Sequence, residues 1–126
     1  LVVDRAAVIG RNIKTLLVDS REAPRFNGEH EPIDPIAGHI EGAVNYPWRS
    51  VPDEQNFFHL EHQHARWQSV IETGDIMVYC GSGVTACLNL LSLAEAGRTD
   101  AKLYAGSWSD WCSYRDYNTQ LLVRKS

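Results

Sequence analysis

The residues of this chain best equipped for chemistry are Cys80-Gly81-Ser82-Gly83-Val84-Thr85-Ala86. An apolar run, Ile76-Met77-Val78-Tyr79, leads straight into the cysteine. Cysteine reacts as its thiolate, and an ionised sulfur needs surroundings that favour negative charge. Gly81 and Gly83 permit backbone angles that aim several N–H groups inward, and a helix after the turn points its positive end at the same place. Ser82 and Thr85 add hydroxyl donors, and Thr85 is also placed to cap that helix. Gly81, Ser82, Gly83, Val84 and Thr85 therefore read as an anion cradle around Cys80. The plainer reading of the same residues is a small buried thiol at a strand end, followed by a tight turn.

For such a cradle to exist, the elements around it must deliver the cysteine to a sheet edge. Apolar runs of a few residues alternate with helical patterns along the chain, which is the pattern of βαβ units around a parallel sheet. Leu16-Leu17-Val18 reads as a buried strand ending at Asp19, Ala43-Val44-Asn45-Tyr46 as a second stopped by Pro47, Ile76–Tyr79 as a third and Lys102-Leu103-Tyr104 as a fourth. Trp67, Val70 and Ile71 fall at helical spacing before Gly74, and Val84, Cys87, Leu88, Leu91 and Ala94 mark one face of a longer helix ending near Gly97. The first fifteen residues read as a helix or an irregular cover. The segment from Arg21 to Gly38, rich in Pro and Gly, reads as a long loop and a candidate substrate wall. Ligands of parallel α/β sheets bind at the edge where the strands end, which is where Cys80 falls.

Size and composition fit one ordinary globular domain over residues 1–126, with 44% hydrophobic and 22% charged residues. A net charge of −4 argues against nucleic acid or an anionic membrane as the main partner. Three cysteines at irregular spacing suit a reducing compartment such as the cytoplasm better than a disulfide framework. The chain opens Leu1-Val2-Val3-Asp4-Arg5, without the pattern of a signal peptide or an initiator Met, and is expected to be a piece of something longer.

With these motifs in view, the sequence resembles the mercaptopyruvate sulfurtransferase branch of the rhodanese superfamily. The loop from Cys80 to Ala86 is similar to its active-site loop, Val18-Asp19-Ser20-Arg21 to the end of its first strand, and Gly38-His39-Ile40-Glu41-Gly42-Ala43-Val44-Asn45-Tyr46-Pro47 to its N-terminal signature. Leu103-Tyr104-Ala105-Gly106-Ser107-Trp108-Ser109-Asp110-Trp111 resembles its C-terminal signature. The resemblance implies a three-layer α/β/α domain with a central parallel sheet. It also implies a mechanism: the Cys80 thiolate takes the outer sulfur of a donor as a persulfide, and a thiol, thioredoxin or cyanide removes it. No metal or organic cofactor is implied. Enzymes of this kind commonly carry two tandem rhodanese domains with the pocket between them, so an upstream domain is an expected partner.

The donor turns on charge. Ser82 and its glycine neighbours bring no cation to the loop, which resembles the users of 3-mercaptopyruvate, and Arg25 aligns with the arginine that grips the donor's carboxylate. Otherwise Arg25 is a solvated loop arginine. Glu31-Pro32 is followed by Ile33, where those enzymes usually place a second arginine, so thiosulfate stays open. Arg21 reads as a structural ion pair, His39 as a hydrogen-bonded scaffold and Cys87 as a core thiol. Cys112 reads either as a surface thiol or as packed under Trp108 and Trp111, and Trp108 either as closing the pocket over Cys80 or as a core tryptophan. A phosphatase or arsenate reductase of the Cdc25 type needs an arginine six positions after the cysteine, where this chain has Ala86. A noncatalytic rhodanese module would usually lack the cysteine altogether.

Overall fold

Four apolar runs need cover on both sides, and a sheet between two helical layers supplies it. The computed structural model describes residues 1–34, 36–81 and 85–113. Among them are the strands β1 (Val2–Val3), β2 (Leu16–Asp19), β3 (Val44–Asn45), β4 (Ile76–Tyr79) and β5 (Lys102–Tyr104). They form one sheet in the order β1-β5-β4-β2-β3, with every pairing parallel. The helices are α1 (Arg5–Ile9), α2 (Ala23–Phe26), α3 (Leu60–Trp67), α4 (Ala86–Glu95) and α5 (Ser107–Trp111), with a 3-10 turn at Trp48–Ser50.

Alternation along the strands divides the core. Leu17, Met77 and Tyr79 face one layer with Val8 of α1 and Trp108 and Trp111 of α5. Val18, Ile76, Val78 and Cys80 face the other, against Trp67 of α3 and Ala86 and Leu93 of α4. β4 is buried at all four positions and lies between β2 and β5, so Cys80 leaves the best-covered strand of the sheet. This is the expected three-layer α/β architecture.

Several local readings change. β2, β4 and β5 stand where the apolar runs place them, but the second run forms a strand only at Val44–Asn45. The first fifteen residues hold an edge strand as well as a helix, because Val2 and Val3 pair with Leu103 and Tyr104. α3 ends at Trp67, and Val70 and Ile71 pack against the core from the turns beyond it. The segment 21–38 is not wholly loop, since α2 starts within it with Pro24 in its first turn, where proline's missing N–H costs nothing.

The face of α4 is the largest correction. Its buried residues are Ala86, Asn89, Ser92 and Leu93, while Leu88 and Leu91 are exposed and so is Cys87, which is therefore no core thiol. The helix turns a polar stripe inward because α3 satisfies it. Asn89 Oδ1 accepts from Arg66 Nη1 at 2.6 Å, and Asn89 Nδ2 donates to Ser20 Oγ at 2.7 Å and to the Tyr46 carbonyl at 2.8 Å. Ser92 Oγ accepts from Trp67 Nε1 at 2.7 Å and donates to Gln63, whose amide donates to the Val51 carbonyl. Hydrogen bonds to protein partners offset the cost of taking such polar groups out of water.

Candidate functional site

All strands of a parallel sheet end on the same side, and the segments leaving β2, β4 and β5 meet there. The Ser20 amide extends the ladder by donating to the Tyr79 carbonyl at 2.8 Å, which sets Ser20-Arg21 beside Cys80. From β5, the Trp108 and Ser109 amides donate to the carbonyls of Cys80 and Gly81, both at 2.9 Å. Cys80 is itself 1% exposed. Its neighbours Gly81 and Thr85 line a cleft of about 240 Å³, whose walls include Arg21, Arg25, Ile33, Asp34 and Arg49.

Of the proposed cradle, Gly81 and Thr85 are placed, and Ser82, Gly83 and Val84 lie outside the described residues. Gly81 does not use the left-handed backbone freedom of a glycine. Its missing side chain has a different use: a Cβ there would come within 3.1 Å of Arg25 Nη1 and 3.2 Å of Nη2. The guanidinium lies directly on the glycine. Thr85 occupies the N-cap of α4 but makes no capping bond through its side chain, because its own backbone is already helical.

Arg25 is drawn to that position by two carboxylates. Its Nη2 donates to Glu31 Oε2 at 3.1 Å and to Asp34 Oδ2 at 3.4 Å, and its side chain is 19% exposed. Among the described residues Nη1, the nitrogen over Gly81, has no acceptor. Burial pushes the Glu31 carboxyl up, but amide donors from Asp34 and Ile33 together with Arg25 outweigh it and hold the group below its ordinary value. Asp34 in turn accepts from Ser109 Oγ at 2.8 Å, which ties the arginine loop to the segment after β5. Ile33 is exposed on the cleft wall, where it adds no charge.

The scaffold around the cleft matches the readings for Arg21 and His39. Arg21 is buried against Asp19 at 2.7 Å and donates to the Gly38 carbonyl, with its guanidinium 5.0 Å from the Trp108 ring. His39 Nδ1 lies 2.7 Å from the Phe26 carbonyl, and its ring stacks on Phe26. Trp108 is fully buried and donates to the Ile36 carbonyl, so it packs the core and pins the loop. Cys112 is buried with Trp108 and Trp111, and burial pushes its thiol up to about 11. Several residues of the cleft, among them Glu22, Asp34 and Trp48, escaped the motif reading. Arg49, paired with Glu22 and resting on Trp48, carries no pattern around it, and Ser109 is visible only as a signature residue. Among the described residues no helix is long and apolar enough to cross a membrane.

Comparison with known proteins agrees with this geometry. Residues 6–114 match the family model described as a rhodanese-like domain. Over 99 residues the chain is 46% identical to a Pseudomonas aeruginosa protein named "Probable 3-mercaptopyruvate sulfurtransferase", covering 75% of this chain and 35% of that one. It is 35% identical over 104 residues to the Arabidopsis thaliana "Thiosulfate/3-mercaptopyruvate sulfurtransferase 1, mitochondrial", covering 79% of this chain and 27% of that one. A crystal structure of SseA from Escherichia coli, described as a 3-mercaptopyruvate sulfotransferase with the rhodanese fold, matches 86% of this chain and 42% of its own. Its TM-score is 0.69 at 35% identity. The chain thus spans well under half the length of these relatives. With the motif order, the parallel sheet and the family match in agreement, this chain belongs to the rhodanese-like domain family.

Proposed function

We propose that the chain is a sulfurtransferase that takes a sulfur atom from 3-mercaptopyruvate or thiosulfate onto Cys80 and passes the resulting persulfide sulfur to a thiol or cyanide. The observation that carries this reading is Cys80 at the end of the central strand, followed by a glycine on which the Arg25 guanidinium lies, at the cleft wall. The arrangement suits a donor with a sulfur at one end and an anionic group at the other. Arg25 would hold the anion through paired N–H donors, and the sulfur would meet Cys80. The Cys80 thiolate then attacks the donor sulfur, an S–S bond forms, and the bond from that sulfur to the rest of the donor breaks. The electron pair leaves with sulfite, or with the enolate of pyruvate, which takes up a proton. Stabilising the sulfur anion needs oriented donors and no neighbouring base.

The charge of the cleft supports 3-mercaptopyruvate over thiosulfate. Arg25 is shared by Glu31 and Asp34, and Arg49 is paired with Glu22. Little uncompensated positive charge is left for a dianion, whereas one carboxylate needs only one arginine. The names of the relatives, which cite both donors, support the reaction class without choosing between them.

The test is to incubate the protein with each donor and follow the Cys80 peptide by mass spectrometry for the gain of one sulfur atom. Loading by 3-mercaptopyruvate is expected to be the faster, absent in Cys80→Ser and retained in Cys87→Ser and Cys112→Ser. Normal sulfur transfer by Cys80→Ser would refute the proposal.

A further inference from the structure

Cys80 is touched by a side chain that lies outside the cradle. Ser107, fully buried at the start of α5, accepts a hydrogen bond from the Cys80 amide at 3.0 Å, and its hydroxyl lies 3.9 Å from the Cys80 sulfur, to which it can donate. The same oxygen is 2.9 Å from the Tyr104 carbonyl. A serine hydroxyl has one proton, so the carbonyl and the sulfur compete for it. Facing a neutral thiol, the closer carbonyl wins. Facing a sulfur anion, the hydroxyl gains a charge-assisted bond, roughly twice as strong as a neutral one, and rotation about a single C–O bond re-aims the proton.

The backbone holds the hydroxyl in place at some cost. Ser107 has a φ of +58°, in the left-handed region that side chains rarely adopt. Glycine would occupy that angle without strain. The strain is sustained because the next two amides, of Trp108 and Ser109, donate to the Cys80 and Gly81 carbonyls and lock the two segments together. The two backbones are thereby held together, and the Ser107 oxygen is itself fixed between the Cys80 amide and the Tyr104 carbonyl.

We propose that Ser107 is a positioning residue for Cys80, anchoring its amide and lending a hydroxyl proton to its sulfur when the sulfur is anionic. This rests on Cys80 as the sulfur carrier and adds a donor from outside the loop. The test is the rate of Cys80 alkylation by iodoacetamide against pH, read on the Cys80 peptide, in the wild-type chain, Ser107→Ala and Ser107→Gly. Losing a donor to the charged form disfavours ionisation, so both variants should move the midpoint up by about half a pH unit or more. Alkylation at neutral pH should slow by ~3-fold or more. Alanine keeps the strained angle and glycine relieves it, so the melting temperatures should separate while the two pH midpoints move together.

An unchanged midpoint in a folded variant overturns the proposal, as does a shift confined to Ser107→Ala. Loss of the fold in Ser107→Gly also overturns it, since the hydroxyl would then serve the fold. Sulfur loading of wild-type Cys80 stands as a separate measurement. A chain that takes up no sulfur yet shows the midpoint shift would sink the sulfurtransferase reading and leave the positioning role intact.

Discussion

Arg25 and Gly81 depend on each other, and the dependence is steric as well as electrostatic. A methyl group at position 81 would stand about 3 Å from the guanidinium nitrogens, closer than carbon and nitrogen ordinarily approach, and the flexible arginine would be the partner to yield. Gly81→Ala is therefore expected to fold normally and, on the proposal that Arg25 holds the donor's anion, to lower donor efficiency several-fold by displacing that arginine. Steady-state kinetics with 3-mercaptopyruvate, beside a thermal melt, would check it, and unchanged efficiency would mean that Arg25 does not work from this position. Cys80 and Arg25 could be singled out from the sequence, Cys80 by the Gly-rich turn after an apolar run and Arg25 by its likeness to a family arginine. The sequence did not reveal the use of Gly81, because that use lies in contact with a residue from another loop. Ser107 was hidden for the same reason: its hydroxyl meets a sulfur 27 positions earlier, and no local pattern records the meeting.

At the level of elements, the apolar runs located β2, β4 and β5, most plainly β4, which is buried at all four positions and apolar throughout. The α4 face was misread because hydrophobic periodicity assumes that what is buried is apolar. Here Asn89 is buried and fully bonded, and it also partners Arg66, which stacks on Trp67 at 4.8 Å. Asn89→Ala would leave Ser20 and Tyr46 without their donor and Arg66 short of an acceptor, so it should destabilise the fold by ~2–4 kcal/mol, measured by urea unfolding. A cost near zero would show that α4 is held by its apolar residues alone. The arginine loop carries a pH dependence of its own. The folded-state Glu31 carboxyl is held below its ordinary value, so its contribution is complete above that ordinary value and disappears as pH falls through the lowered one. Wild type should lose stability over that acid interval more steeply than Glu31→Gln, and parallel urea midpoints across it would contradict the role given to Glu31.

Across the whole molecule, the parallel sheet brings together groups that are far apart in sequence. Arg25 follows β2, Cys80 follows β4 and Ser107 follows β5, and all three reach one edge because every strand runs the same way. That much of the site was legible, since an alternation of strand and helix implies the edge even where it leaves the contacts unknown. The extent of the cleft was not, because Arg49 and Ser109 join it only through folding. Water entering an open cleft screens Arg25, while a domain seated over it would raise the strength of the same ion contact. Arg25→Ala removes charge-assisted bonds worth ~2–5 kcal/mol when desolvated, and Arg25→Lys loses the paired geometry. We therefore expect Arg25→Ala to reduce donor efficiency in this chain, and to do so more severely in a longer protein that carries a second domain against the cleft. Alkylation of Cys80 by a small neutral reagent should hardly change in either, because the side-chain hydroxyl that stands against the sulfur is that of Ser107, on a different segment from Arg25. Equal penalties in the two proteins would refute a covering domain, and slowed alkylation would show that Arg25 acts on the sulfur itself and not on the donor.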